Sequence, residues 1–309
     1  MAVETITTVL VAAALPVDAD GDADTASTAG PYDLTDIATV KDELSITGND
    51  TSNDAFLARA ITQASAAISR YCNRVFAVEA VQDQIFIQQD AYPFQVPGGV
   101  YPLQLSRWPL VQTGAVGFTG NTHSSLVVDG IANTIGISVG ALVFAADGSI
   151  PAGTTVATVG PKSITLSQAA TSAKTALSLT TGVQAVQTLS VGDTQTLVYG
   201  TDFTIDANRG WLIRLNSWTG IQVRWESLPV TVQYQGGYAA IPDDLVDACL
   251  RLVTARFRAR GRDPLLVERS QGPALGAERF WVGVVPKQTG SMPPEIAGLL
   301  DNYRVPVVA

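Results

Sequence analysis

The fold is decided by residues 32–74, which read YDLTDIATVKDELSITGNDTSNDAFLARAITQASAAISRYCNR, and by residues 230–262, which read VTVQYQGGYAAIPDDLVDACLRLVTARFRARGR. The first stretch contains a short helix signal, a Gly-Asn-Asp loop and a long alanine-rich amphipathic helix. The second contains a strand, a Gly-Gly turn and a helix opened by Pro-Asp-Asp. Together they predict an α+β fold: a small helical bundle with a β element, plus an inserted small all-β domain.

The first stretch predicts two helices. Asp33 or Thr35 is placed to cap the first helix and Ser52 the second, because a short polar side chain there accepts a bond from a free backbone N–H. Apolar residues of the second helix recur at steps of three and four and form one stripe: Phe56, Leu57, Ala60, Ile61, Ala64, Ala67, Ile68 and Tyr71. The alanines let a neighbour approach closely, so we expect this face to pack on a sheet or on another subunit.

The second stretch predicts a strand followed by a helix. Val230, Val232 and Tyr234 alternate with polar residues, as in a half-buried strand. The buried stripe of the helix comprises Leu245, Cys249, Leu252, Val253 and Phe257. The chain has 2 cysteines, Cys72 and Cys249, and both occupy apolar helix positions. We interpret them as buried thiols rather than as metal ligands or disulfide partners.

Residues 117–182 differ in composition from the rest of the chain. No arginine occurs between Arg107 and Arg209, and short alternating runs rich in Thr, Ser, Gly, Ala and Val, such as residues 135–143, are separated by turns. This predicts a separate, small all-β module. The predicted divisions are an N-terminal arm and linker (1–30), a core (31–116 and 183–270), the inserted β module (117–182) and a C-terminal docking tail (271–309).

The charge balance of the chain is acidic. Its formal net charge is −9, and charged residues make up only 15% of it. This argues against general nucleic-acid binding through a basic surface. An acidic wall beside DNA would instead repel the DNA and let it slide.

No catalytic constellation stands out in the sequence. His123 is the 1 histidine of the chain and lies beside serines in a polar turn, which predicts a solvated residue rather than a base. The histidine and the two scattered cysteines cannot form a His/Cys zinc site. The Gly-Gly pairs lack the Lys-Ser or the spaced third glycine of a phosphate-binding loop. We therefore predict no enzyme, no cofactor and no metal.

The N-terminal segment is apolar over residues 7–15. The first basic residue is Lys41, so the segment lacks the positive leader of a signal peptide. It is also too short to span a bilayer. We expect it to be a strand or arm of a soluble protein made in the cytoplasm, with no membrane partner.

A basic cluster lies on the predicted helix of the second stretch and at its end. Its members are Arg251, Arg256, Arg258, Arg260 and Arg262. Three explanations stay open: a solvated face, pairing with acidic residues of a neighbouring subunit, or contact with nucleic-acid phosphates. We mark Arg251, Arg256 and Arg258 as candidates for contacts between subunits.

Three parts of the chain carry a resemblance to a known family. They are residues 34–44 (LTDIATVKDEL) leading into the helix at 53–73; residues 199–206 (YGTDFTID) and 211–215 (WLIRL); and residues 230–239 (VTVQYQGGYA), 241–245 (IPDDL) and 293–304 (PPEIAGLLDNYR). In this order they resemble the head–tail connector (adaptor) proteins of tailed bacteriophages, over about half of the chain. The N-terminal arm and the β module lie outside the resemblance.

The resemblance implies a virion structural protein of the head–tail neck, made in the host cytoplasm. Members of the family form a ring, expected to be a dodecamer, beneath the portal protein. The ring extends the channel through which DNA passes without sequence-specific binding, and it offers a platform for the next head-completion or tail protein.

The C-terminal tail is interrupted by Gly and Pro but keeps apolar and aromatic anchors. These are Phe280, Trp281, Ile296, Leu299, Leu300 and Tyr303. Anchors on a loosely structured segment indicate a part that orders on binding a partner. The alternative is a tail that wraps its own subunit. The family resemblance favours docking on the portal or on an adjacent subunit.

A rival interpretation is a carbohydrate- or host-surface-binding β-rich decoration protein of the virion. It rests on the β-rich middle of the chain and on Trp211, Trp218 and Trp225, whose rings are able to stack on sugars. We expect these tryptophans instead to fill the core or the sheet edges.

Overall fold

The structure is a computed structural model that describes most of the chain. The described residues are 4–13, 30–87, 102–112, 114–190, 193–260, 268–270, 277–279 and 292–305. The chain divides into two compact units, which we treat separately. The β unit comprises Met1–Ala13 and Val78–Ala239, and the helical unit comprises Ala14–Ala77 and Ala240–Ala309.

The described elements are numbered in chain order. The helices are α1 (Ile37–Glu43), α2 (Asp54–Cys72), α3 (Asp243–Arg258) and α4 (Pro294–Leu300), with a 3₁₀ turn at Asp301–Tyr303. The strands are β1 (Glu4–Val11), β2 (Glu79–Phe86), β3 (Leu103–Gln104), β4 (Ala115–His123), β5 (Val127–Asp129), β6 (Val143–Ala145), β7 (Val156–Val159), β8 (Ile164–Leu166), β9 (Ala173–Gly182), β10 (Gln184–Ser190), β11 (Asp193–Leu197), β12 (Phe203–Asp206), β13 (Trp211–Leu215), β14 (Gln222–Val223), β15 (Val230–Gly236), β16 (Glu268–Ser270) and β17 (Ala277–Arg279).

The predicted fold class, a small helical bundle with a β element plus an inserted small all-β domain, is wrong. Most of the regular structure in the described residues is β, arranged in antiparallel sheets, and helices form the smaller part. The prediction failed because strands from distant parts of the chain pair with one another. One sheet gathers β1, β2, β10, β11 and β15 from distant parts of the chain. Local periodicity reports one strand at a time and does not reveal such non-local pairing.

The five-stranded sheet has the order β1-β2-β15-β10-β11, and every neighbouring pair is antiparallel. In β15, Val230, Val232 and Tyr234 are fully buried, which confirms the alternation predicted for this strand. Thr231 and Gln233 occupy the other face and are half-buried. The sheet therefore has one apolar face and one face of amides and hydroxyls.

A smaller sheet shares the core of the β unit. It has the order β12-β13-β14, and β3 pairs with β13. One cluster of buried side chains joins it to the apolar face of the five-stranded sheet: Val81, Ile85, Ile87, Leu103, Leu105, Leu110, Val183, Ala185, Leu197, Phe203, Leu212, Trp225, Val230, Val232 and Tyr234.

A buried carboxylate ties three strands of the β unit together. Asp83 on β2 is fully buried and accepts hydrogen bonds from Thr7 Oγ1 at 2.8 Å and from Tyr234 Oη at 2.6 Å. The backbone N–H and the hydroxyl of Ser106 each donate to it at 2.7 Å. Four donors satisfy both carboxylate oxygens, which offsets the cost of removing the charge from water.

Residues 115–182 form a six-stranded sheet with the order β6-β9-β4-β5-β8-β7. It has its own buried cluster: Val128, Ile131, Ile137, Ala141, Val143, Ile150, Val156, Ile164, Leu166, Ala170 and Leu179. The two ends of the segment lie side by side, because Ala115 on β4 pairs with Gly182 on β9. We propose, on this geometry, that residues 117–182 are an insertion.

The helical unit is built around α2 and α3, with α1 against both and α4 against α3. The facing side chains are small. Ala64 and Ala248 are fully buried, and Ser65 Oγ lies 3.7 Å from Cys249 Sγ. The predicted alanine-rich face is therefore packed against a helix. Cys72 and Cys249 are free and buried, as the sequence predicted.

A partly buried ion pair links the two helices of the first stretch. Lys41 Nζ lies 2.7 Å from Asp54 Oδ1 and donates to the carbonyl of Gly48 at 3.2 Å. Lys41 as a whole is only 5% exposed. The sequence pattern did not predict that Lys41 is buried. Its burial is possible because the aliphatic stem of lysine packs like an apolar side chain.

The helix caps differ from those predicted. Asp36 caps α1, because its carboxylate accepts from the backbone N–H of Thr39 at 2.7 Å. Asp33 instead accepts from the N–H of Gly30 and from the hydroxyl of Thr62, and burial raises its pKa despite those bonds. Asn53 stands at the N-cap of α2 without a side-chain bond.

Candidate functional site

Nucleophilic and metal chemistry find little support in the described part of the chain. No group of three His, Cys, Asp or Glu residues there is placed to hold a metal ion. His123 Nε2 lies 3.0 Å from Asp129 Oδ2, but both side chains are about half exposed on the module surface. Burial raises the pKa of Cys72 and of Cys249 to about 11, so both thiols stay protonated and inert near neutral pH. No described helix combines the length and the apolarity needed to span a membrane.

The most distinctive surface feature is the tip of the β13–β14 hairpin, residues 216–221, which we call the hairpin tip. Trp218 at this tip is 96% exposed, and Ile221 is 65% exposed. An indole that is left in water on a folded protein forgoes a large hydrophobic gain. Tryptophan is enriched among the residues that dominate binding at interfaces, so the hairpin tip is a candidate contact site.

The backbone beneath Trp218 is well held. Asn216 Oδ1 accepts from the N–H of Trp218 at 2.9 Å and from the N–H of Thr219 at 3.1 Å. The N–H of Gly220 donates to the carbonyl of Asn216 at 2.8 Å, and Gly220 has a φ of +65°, which favours glycine. Ser217 Oγ anchors the tip to Asp202 at 2.9 Å. The hairpin tip thus presents an exposed indole on an ordered turn.

The three tryptophans of the rival interpretation lie in different environments. Trp225 is 2% exposed, and its Nε1 donates to the carbonyl of Leu212. Trp211 is half-buried, its Nε1 donates to Gln104 Oε1 at 2.8 Å, and the guanidinium of Arg209 covers its ring at 4.8 Å. These two confirm the expectation that they fill the core or the sheet edge. Trp218 does not fit this expectation, because it is exposed. The three tryptophans therefore do not form a shared surface on which a sugar could stack.

The described end of the C-terminal tail packs against its own helical unit. Ile296 and Leu300 on α4 are buried, Leu299 is half-buried, and the N–H of Val305 donates to the carbonyl of Cys72 at 2.9 Å. Tyr303 stacks edge-on against Phe76, with 6.2 Å between the ring centroids.

These contacts match the arrangement in which the tail wraps its own subunit. Docking of Ile296, Leu299, Leu300 and Tyr303 on the portal or on an adjacent subunit stays a prediction. Phe280 and Trp281, the other two predicted anchors, lie outside the described residues.

The arginines marked as intersubunit candidates are exposed on α3. Arg251 forms an ion pair with Asp247 one turn earlier, at 2.9 Å, and this hydrogen-bonded carboxylate raises the pKa of the guanidinium. Arg256 Nη1 donates to Gln63 Oε1 at 3.0 Å. Arg258 is exposed, and no partner for its side chain is found among the described residues. A contact between subunits through these side chains stays a prediction, and Arg258 is the most available of the three.

Sequence reasoning had grouped Trp218 with two tryptophans that turned out to be internal. A local signal distinguishes it. Trp218 stands between Asn216 and Gly220, two turn-forming residues, so it belongs to a loop rather than to a strand.

Comparisons with known proteins give little further guidance. No protein-family model matches the chain, and no curated protein matches it. Among solved structures, one match is a chain from the neck of an empty GTA particle computed with C6 symmetry. The two chains share 12% sequence identity, the match covers 98% of this chain and 97% of that chain, and the TM-score is 0.39. A likeness at this identity and TM-score carries no argument about function.

Proposed function

We propose that this chain is a virion structural protein that forms an adaptor ring, a dodecamer, beneath the portal of a tailed phage. The ring extends the DNA channel and joins the head to the tail through the next head-completion or tail protein. The sequence resemblance to connector proteins is the reason for proposing this assembly rather than another kind of binding protein. The structural observation that carries the proposal is the hairpin tip, where an ordered turn holds Trp218 out in water.

A solvent-exposed tryptophan on an ordered turn suits a protein that works by docking. Tryptophan is enriched among the few residues that dominate binding energy at protein interfaces. An ordered turn also loses little conformational entropy on binding. We place Trp218 and Ile221 in the contact with the next subunit or with the next neck protein.

The acidic balance of the chain is compatible with a DNA channel. With a formal net charge of −9, the ring repels the phosphate backbone and gives DNA no basic surface on which to stall. In this proposal DNA passes without sequence-specific contacts, and the exposed arginines of α3 face protein rather than nucleic acid.

Electron microscopy of the purified chain tests the proposal directly. We expect negative-stain images of closed rings, and we expect the protein to add to portal-bearing heads that lack neck proteins. Trp218→Ser is expected to weaken assembly or attachment without loss of folding, since the indole is exposed. Ile135→Ser, which changes an 82% exposed residue on the module, is the matched control. A chain that stays monomeric and does not add to heads contradicts the proposal.

The rival function, sugar binding, now rests on Trp218 alone, because Trp211 and Trp225 are engaged within the fold. A glycan array separates the two functions. Binding of a defined glycan that Trp218→Ser abolishes, together with a lack of rings, would favour the rival.

A further inference from the structure

The five-stranded sheet of the β unit ends in two strands that each have one neighbour. β1 pairs only with β2, and β11 pairs only with β10, among the described residues. The outward N–H and C=O groups of such edge strands form a template for pairing with another strand.

Neither edge strand carries the residues that usually prevent pairing. Natural proteins protect edges with lysine, proline, inward-pointing charges or bulges. The irregularity in the β1–β2 pairing lies between Val9 and Val11, so residues 4–9 of β1 pair regularly. β1 (ETITTVLV) and β11 (DTQTL) contain no lysine, arginine or proline, and their charges are confined to the first residue of each, Glu4 and Asp193.

The side chains of β1 are also typical of a β-strand. Threonine, isoleucine and valine dominate it, and these residues are enriched in β-strands. Ile6 is 49% exposed and Val9 is 44% exposed. The pairing register places Ile6 on the amide face with Gln84, and Val9 on the apolar face with Val81. A strand added beside β1 would therefore cover aliphatic surface on both faces.

The directions of the strands select the kind of partner. An antiparallel sheet of five strands has edges that run the same way, so β1 and β11 point in one direction at opposite ends of the sheet. Rotation about an axis along the strands preserves this direction. The β1 edge of one copy then meets the β11 edge of the next copy in a parallel pair, and the same step repeats around a ring. Pairing of β1 with β1 would instead be antiparallel and would stop at a dimer.

We propose that β1 of one copy pairs in parallel with β11 of the neighbouring copy, so that the sheet continues from subunit to subunit around the ring. This inference rests on the proposed function, which supplies the ring. β11 has five residues and β1 has eight, so β11 lies beside only part of β1. The stagger is determined by cysteine cross-linking.

Cysteine cross-linking can test the pairing, because the two edges of one copy are far apart. Four strand spacings separate β1 from β11, about 19 Å, whereas a disulfide needs Cα atoms closer than about 7 Å. A β1–β11 disulfide must therefore join two copies. The native thiols, Cys72 and Cys249, are buried and do not compete.

The positions for the cysteines lie on the amide face of the sheet. Ile6 and Thr8 pair with Gln84 and Gln82, and Thr194 and Thr196 continue the same face on β11. All four side chains are exposed. The experiment uses the full-length chain with one β1 cysteine (Ile6→Cys or Thr8→Cys) and one β11 cysteine (Thr194→Cys or Thr196→Cys), in the four possible pairs. The pairs 6/194 and 8/196 sample the same stagger, and the pairs 6/196 and 8/194 sample the staggers two residues to either side of it.

After oxidation, non-reducing gels of at least one double variant are expected to show a ladder of multimers up to the full ring. Each single variant is expected to show none. A lysine at the β1 position of the same face that does not carry the cysteine is expected to remove the ladder: Ile6→Lys for a Thr8→Cys pair, or Thr8→Lys for an Ile6→Cys pair. Ile135→Lys on the module is expected to leave it.

Three results overturn the pairing. Rings in the micrographs without a ladder from any double variant reject it and leave the proposed function standing. Cross-linked dimers from a single β1 variant show β1–β1 pairing instead. A chain that forms no ring rejects both the pairing and the proposed function.

Discussion

The phenol of Tyr234 on β15 donates a 2.6 Å hydrogen bond to the carboxylate of Asp83 on β2, and both side chains are fully buried. The same phenol oxygen accepts from the backbone N–H of Arg107 at 3.0 Å. Burial and the adjacent Asp83 charge raise the pKa of Tyr234 well above its ordinary value, so the phenol stays a donor at any physiological pH. One hydroxyl therefore satisfies two buried groups.

Removing that hydroxyl is the first prediction. Tyr234→Phe keeps the ring but leaves Asp83 with one donor fewer and the N–H of Arg107 without its acceptor. We expect a loss of about 1–3 kcal/mol in the free energy of unfolding, the usual cost of unsatisfied buried polar groups. Urea denaturation measures it. Tyr71→Phe is the control, because its hydroxyl makes an exposed 3.3 Å bond to Asp301. Equal stability of the two variants would show that the network is not stabilising.

The second prediction concerns the close contact of α2 and α3. Ala64 is fully buried in that contact, so Ala64→Leu is expected to cost about 1–3 kcal/mol by overpacking. Ala66, on the exposed side of the same helix, provides the control substitution Ala66→Leu. Thermal melting of both variants checks the difference. If the Ala64 variant melts with the parent, the helices have room that the structure does not show.

Elements with a strong local signal were predictable from the sequence. The apolar stripe between Phe56 and Tyr71 predicted α2, and the alternation of Val230, Val232 and Tyr234 predicted β15. Both were predictable because each pattern lies within one element. The burial of Cys72 and Cys249 was predicted from the same helical periodicity.

Features that depend on distant residues were not predictable. The alternating run at residues 135–143 forms no strand before Val143, because Gly136 and Gly140 take positive φ values and turn the chain. Asp83 shares the apolar face of β2 with Val81 and Ile85, and its donors Thr7, Ser106 and Tyr234 come from three other segments, which the local pattern does not show. The exposure of Trp218 likewise depends on the tertiary fold. The candidate site was therefore found from the structure.

The third prediction tests the proposed insertion. Replacement of residues 117–180 by a short Gly-Ser turn keeps the pair Val116–Thr181 at the start of the β4–β9 pairing. We expect the remaining chain to fold, because the two cut ends already lie side by side and closing them costs little entropy. Some stability is lost, since Leu142 and Phe144 of the module pack on Ala80. Circular dichroism and cooperative melting measure the result, and a variant that has lost cooperative unfolding would rule the insertion out.

The fourth prediction is a pH dependence set by the thiols. Burial raises the pKa of Cys249 from 9.0 to about 11. The unfolded chain therefore releases this proton at lower pH than the folded chain, so the stabilisation is complete below pH 9.0 and is lost as the pH rises towards 11. Urea denaturation at several values between about pH 8 and pH 9, below the tyrosine range, measures the slope. Burial also raises the pKa of Cys72 to about 11, so Cys249→Ala is expected to reduce the slope and the double variant with Cys72→Ala to reduce it further. An unchanged slope in Cys249→Ala would exclude this thiol as a cause.

The last prediction separates the two roles left open for α4. Leu300 is fully buried and Leu299 is only half-buried. Leu300→Ala is expected to cost about 2–5 kcal/mol, as for a large buried side chain. Leu299→Ala is expected to cost little stability. If the segment docks on the portal or on an adjacent subunit, however, Leu299→Ala weakens attachment to portal-bearing heads, because this side chain is the accessible apolar anchor of the helix. Glu295→Ala, an exposed change on the same helix, is the control. Heads that bind the Leu299 variant and the parent to the same occupancy would show that α4 only completes the core of its own unit.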